Sequence, residues 1–102
     1  ATEYTVAAVG FMPGFGYLTG LPPMLHVERR TTPRTSVRGG SVGIAWNYTG
    51  IYPHSSPGGW HIIGRTPLVM FDPRQPAAPS RLYVGDCVRF QPITRQEFER
   101  WK

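Results

Sequence analysis

The sequence predicts an all-β protein of short antiparallel strands, arranged as a barrel or sandwich, with one short helix at its C-terminal end. Three observations carry this prediction. The chain has 12 glycines and 11 prolines among 102 residues, about twice the usual share. Proline removes a backbone donor and glycine adds chain entropy, so long helices are excluded. Against that, 40% of residues are hydrophobic and 13% aromatic, too many for a disordered linker. Finally, residues 41–46 alternate with period two, and the good helix signal comes only at residue 94.

The elements follow in order. Residues 4–10 read as a strand that ends at Gly10. Residues 11–20 form a turn-rich loop with the aromatics Phe11, Phe15 and Tyr17, and residues 21–40 are irregular around Pro22, Pro23 and Pro33. Residues 41–46 pair with 48–52 across a tight turn centred on Asn47. The run 53–59, Pro-His-Ser-Ser-Pro-Gly-Gly, is expected to be a loop. Strands are expected at 60–65 and 68–71, then a proline-rich surface connection at 72–80. A turn at 84–86 leads to the last strand at 87–93, where the alternation makes Cys87 a small buried hydrophobe. Thr94 with Glu97 forms a capping box, and Ile93 with Phe98 the accompanying staple. That makes six or seven strands without strand–helix alternation, which excludes a parallel α/β sheet.

Charge and cysteine narrow the function. There are 11 basic residues against 6 acidic ones, a net charge of +5. Lys102 is the sole lysine, so a P-loop lysine or an internal Schiff base is excluded within this sequence. The other basic residues are arginines, which suit anionic ligands or an acidic partner. They are scattered, which disfavours nucleic acid as the partner. One cysteine cannot form an internal disulfide, which points to a reducing cytoplasm. No apolar run reaches the ~20 residues of a membrane span, so no membrane partner is expected.

Catalytic and metal signals are weak. His26, His54 and His61 lack ligand spacing, and no metal is expected. His54 beside Ser55 and Ser56 is adjacency in sequence, not the geometry a nucleophile and base require. The stronger signal is Ser56-Pro-Gly-Gly59, whose consecutive backbone amides could cradle an anion, with Arg65 one strand later as a bidentate partner. The same glycines also fit ordinary hairpin turns.

Read together, several motifs carry a family resemblance. They are Gly10-Phe-Met-Pro-Gly-Phe-Gly-Tyr-Leu18, Thr32-Pro-Arg-Thr35, Thr49-Gly-Ile-Tyr-Pro53, Ser56-Pro-Gly-Gly-Trp60 and Ile63-Gly-Arg-Thr-Pro67. The series resembles the family of allophanate hydrolase subunit 1, also called the B-type subunit of 5-oxoprolinase, which includes the kinase inhibitor KipI. The resemblance implies a cyclophilin-like β-barrel, with residues 1–102 a single domain at the C-terminal end of a larger two-domain protein. It implies no prolyl isomerase activity.

The activity implied is that of a cytoplasmic, heteromeric, ATP-dependent hydrolase opening 5-oxoproline to glutamate, or acting on a related cyclic or ureido amide. Related domains in urea amidolyase transfer a carboxyl group from biotin. The domain is expected to be inactive alone and to bind no cofactor itself, with ATP used by the complex. Its partner would be a larger subunit of the same family, of the allophanate hydrolase subunit 2 type or its C-type counterpart in 5-oxoprolinase. The alternative the resemblance implies is a KipI-like module that docks on a histidine kinase through an exposed aromatic loop at 11–17. The expected ligand or partner face takes Phe11, Pro13, Gly14, Phe15 and Tyr17 from the first loop. Tyr52, Ser56, Gly58, Gly59 and Trp60 come from the second, joined by Arg34, Arg65 and Thr66. Two departures from the family pattern are Ser55, where an acidic residue is common, and Gly16, where proline is common.

Overall fold

Antiparallel pairing organises residues 2–101, the part of the chain described by this computed structural model. The strands are β1 (Glu3–Val9), β2 (Gly16–Thr19), β3 (Arg34–Val37), β4 (Ser41–Ala45), β5 (Tyr48–Ile51), β6 (Ser56–Gly58), β7 (His61–Arg65) and β8 (Cys87–Arg89). A single 3₁₀ turn spans Pro23–Leu25, and α1 (Arg95–Arg100) follows the last strand. Six strands form one sheet in the order β7-β4-β5-β2-β1-β8, while β3 and β6 pair as a separate ribbon. The protein is all-β with one short C-terminal helix, as the sequence predicts. No helix among the described residues is long and apolar enough to cross a membrane.

The β4–β5 hairpin is the centre of the sheet. Ala45 faces Tyr48 across a turn made of Trp46 and Asn47, and Gly43 faces Gly50. All five residues of β4 are buried, so apolar side chains must cover it on both sides. On one face lie Phe15, Val37, Ala45, Tyr52 and Trp60. On the other, Val42 and Ile51 pack with Met70, flanked by Leu68, Leu82 and Phe90. The facing glycines open a trough for aromatic rings. A Cβ at Gly50 would lie 2.6 Å from Phe15 Cζ and 3.0 Å from Trp60 Cζ3.

Several expected elements differ from the fold. The run 53–59 is not a loop throughout, because β6 pairs with β3 at Arg34–Gly58 and Val37–Ser56. That pairing is irregular, and Pro57 is tolerated because a two-stranded ribbon consists only of edges. Residues 21–40 likewise contain β3, and the first loop contains β2, giving eight strands among the described residues. No strand forms at 68–71. Phe71 makes a single bridge to Ser80, while Arg81 holds the segment by its backbone amide to the Met70 carbonyl and its Nε to the Val69 carbonyl, both at 2.9 Å. The last strand stops at Arg89, and Cys87 is exposed rather than buried, since β8 is the outer strand of the sheet.

The helix start is as expected. Glu97 N donates to Thr94 Oγ1 at 3.1 Å, and Thr94 N donates to Glu97 Oε1 at 2.9 Å.

One buried polar atom stands out. Thr49 Oγ1 has no hydrogen-bond partner, although Thr49 is 1% exposed and faces Leu18 and Ile44 across the sheet. Replacing an unsatisfied hydroxyl by a methyl of the same shape removes a desolvation cost. Thr49→Val is therefore expected to raise the unfolding free energy by about 1 kcal/mol, measured by urea denaturation. A loss of stability would mean that the hydroxyl is hydrogen-bonded in solution.

Candidate functional site

Phe15 is the hub from which the candidate site is built. Its ring meets Phe11, Tyr17, Tyr52 and Trp60 edge-on, at centroid distances of 5.5, 5.2, 5.4 and 5.4 Å. Trp60 in turn reaches Trp46 at 6.3 Å. Edge-to-face pairing suits the ring quadrupoles, so the cluster is rigid as well as apolar. Above it opens a cleft of about 320 Å³, walled by Phe11, Tyr17, Trp46 and Trp60, with Gly58 and Gly59 along one side.

A segment with no regular structure brings a charge to this cleft. Arg30 N donates to the Gly59 carbonyl at 2.7 Å. His61 Nε2 lies 2.8 Å from the Glu28 carbonyl, a bond in which the ring nitrogen donates. Val27 bridges to Trp46. Stitched at these three points, the segment places the Arg29 guanidinium 6.0 Å from the Trp46 ring centroid and on the cleft wall.

Backbone strain marks the same place. Among the described residues, Phe11 (φ 69°) and Trp46 (φ 53°) are the non-glycine residues with positive φ. A bulky side chain rarely adopts this conformation, which costs on the order of 1 kcal/mol or more. Both strained residues are aromatic, and both line the cleft. Elsewhere positive φ falls to glycine, as at Gly14 and Gly40. Burial pushes the Tyr52 phenol up from its ordinary value of 10.0, opposed by the Trp60 backbone amide and reinforced by the Tyr17 phenol. Tyr52 therefore stays neutral beneath the cleft.

The structure brings Phe11, Phe15, Tyr17, Tyr52, Gly58, Gly59 and Trp60 together at this cleft. It does not bring the remaining candidates there. Pro13 and Gly14 line a neighbouring apolar groove with Phe71 and Leu82. Ser56 sits at the far end of β6, opposite Val37, and its hydroxyl donates to the Pro57 carbonyl at 3.1 Å. Arg34 pairs with Gly58 in the ribbon but is not part of the cleft wall. Arg65 and Thr66 border a different hollow beside Phe98.

The expected pairing of Arg65 with the Ser56–Gly59 amides is thus not formed. A strand rises roughly 3.3 Å per residue, so β7 carries Arg65 far from Trp60. The cation beside the glycines is Arg29, which sequence reasoning missed along with Trp46. A signal for Trp46 did exist, in a large aromatic at the tip of a two-residue turn. The expected surface contact at Phe15 is also corrected. Phe15 is 1% exposed, whereas Phe11 is 65% exposed.

Chemically, the cleft offers aromatic faces and edges, glycine backbone and one guanidinium, and no thiol or carboxylate among the described residues lines it. This arrangement suits a flat anion. Among the described residues no three His, Cys, Asp or Glu side chains group closely enough to hold a metal ion.

Comparison with known proteins places the chain among relatives. The family described as carboxyltransferase domain, subdomain C and D, matches residues 1–82. The chain is 58% identical over 87 residues to the B-type subunit of 5-oxoprolinase from Haemophilus influenzae, covering 85% of this chain and 40% of that protein. It is 45% identical over 100 residues to the corresponding 5-oxoprolinase subunit of Bacillus subtilis, covering 98% of this chain and 41% of that one. A urea amidolyase of Lachancea kluyveri is 34% identical over 73 residues, which is 67% of this chain and 4% of that protein. The crystal structure of a conserved uncharacterized protein from Pyrococcus horikoshii superposes with a TM-score of 0.86 at 48% identity, covering 94% of this chain and 44% of that one. The chain spans about two-fifths of the length of these 5-oxoprolinase relatives.

Proposed function

The chain belongs to the carboxyltransferase-domain family, subdomain C and D, and on that premise we propose that it is a domain of the small subunit of a 5-oxoprolinase-type hydrolase complex. The observation that carries a ligand role for its cleft is the placement of Phe11 and Trp46. They are strained aromatics lining one opening, beside Arg29. Strain of this kind persists only where the surrounding structure holds the residue in place, and it clusters at ligand-binding sites. 5-Oxoproline fits the cleft chemistry, being a small ring with a near-planar amide and a carboxylate. Its ring would lie against Trp46 and Trp60, and its carboxylate would pair with the Arg29 fork. The domain binds and orients, a larger subunit of the same family completes the active site, and ATP is consumed by the complex.

Co-expression with the larger subunits and assay of ATP-coupled ring opening tests this reading. Arg29→Gln is expected to raise KM by about tenfold, the cost of one charge-assisted hydrogen-bonded contact. Phe11→Gly relieves the positive φ and removes one wall. It is expected to lower kcat/KM by a similar factor while leaving the unfolding midpoint level or higher. Unchanged kinetics in both variants would remove the cleft from the reaction.

A further inference from the structure

A second concave site lies where the turn after β3, the end of β7 and the start of α1 meet. It is an open hollow of about 800 Å³, within the roughly 300–1,000 Å³ range typical of small-molecule pockets. Three guanidinium side chains line it, those of Arg38, Arg65 and Arg95, together with Gln91 and a single carboxylate, Glu99.

We infer that this hollow binds a phosphate-bearing anion, held by Arg38, Arg65 and Arg95. The Arg65 guanidinium lies over the Phe98 ring, 4.7 Å from its centroid. A ring contact of this kind takes up one face of the guanidinium and leaves its N–H edge free to donate. Among the described residues the ion pairs use Arg74, Arg89 and Arg95, so neither Arg38 nor Arg65 has a carboxylate partner there. Arg95 does pair with Glu99, at 3.6 Å and with side chains 90% and 63% exposed. That pair is weak, being solvated and set in the less favourable order along the helix. A bound anion would displace it. The hollow therefore concentrates positive charge in a concavity, and a group with two or more negative charges and several acceptor oxygens matches three forked donors best. The site is separate from the aromatic cleft and does not depend on its role.

Calorimetric titration of the full chain with pyrophosphate, then with ATP, tests the assignment. Saturable one-to-one binding is expected, weakened about tenfold by Arg65→Gln. Arg65→Lys keeps the charge but loses the fork, and is expected to fall between wild type and Arg65→Gln. Arg38→Gln and Arg95→Gln, at exposed positions, are expected to weaken binding likewise, and they decide the matter if Arg65→Gln fails to fold. Arg74→Gln, whose side chain pairs with Asp72 outside the hollow, is expected to change nothing. Binding that never saturates, or that Arg74→Gln weakens as much as Arg65→Gln, would overturn the proposal. ATP that displaces pyrophosphate assigns the site to a nucleotide's phosphate chain, and ATP that fails to do so assigns it to a free oxyanion. Both results uphold the site.

Discussion

Phe15→Ala is expected to lower the unfolding free energy by about 3–5 kcal/mol, the range for removing a large aromatic from a packed core. Four aromatic rings contact Phe15, and a Cβ on Gly50 would meet its ring. The site collapses little around the void, because Tyr17, Tyr52 and Trp60 are large rings anchored on or beside β2, β5 and β7. Urea denaturation reads the loss directly, and a change below about 1 kcal/mol would mean that the 11–17 loop does not pack as described. The result bears on function as well. A Phe15 variant that loses a partner, including a histidine kinase, reports unfolding rather than a contact. Phe11, which is exposed, is the residue that probes docking through this loop.

The second large effect is expected at Gly50. Alanine usually improves on glycine inside a strand, by roughly 0.5–1 kcal/mol. Here the sign reverses. The added Cβ would lie 2.6 Å from Phe15 Cζ and 3.0 Å from Phe15 Cε1, and Phe15 has nowhere to move. Gly50→Ala is therefore expected to destabilise by about 3 kcal/mol, the upper end for overpacking. The physical cause is testable in a double-mutant cycle with Phe15→Leu. If the clash is the cause, the two losses are strongly non-additive, and the double variant is more stable than their sum predicts. Additive losses would place the cost in the β5 backbone instead.

Legibility followed the range of the interactions. The capping box of Thr94 and Glu97 and the hairpin of residues 41–51 could be read because their partners lie within a few residues. The aromatic and glycine motifs of the two loops could also be read as neighbours, and seven of those residues meet at one cleft. The β3–β6 ribbon could not be read. Its partners are about twenty residues apart, and Pro57 and Gly58 are residues that local rules assign to loops. Cys87 reads as buried because alternation signals two faces without saying that a strand lies at the edge of its sheet.

Two arginines show the division most clearly. Composition with local residue order determined that this is a turn-rich β protein with scattered arginines suited to anions. Sequence order suggested that Arg65 serves the glycine loop. The tertiary structure decided otherwise, because a strand carries a side chain along its length. β7 delivers Arg65 to Phe98 and a separate hollow, while the bonds from Arg30 to Gly59 and from His61 to Glu28 bring Arg29 to the cleft. Local sequence determines which elements form. Which charge meets which pocket depends on long-range hydrogen bonds and packing, and these exist only once the chain has folded.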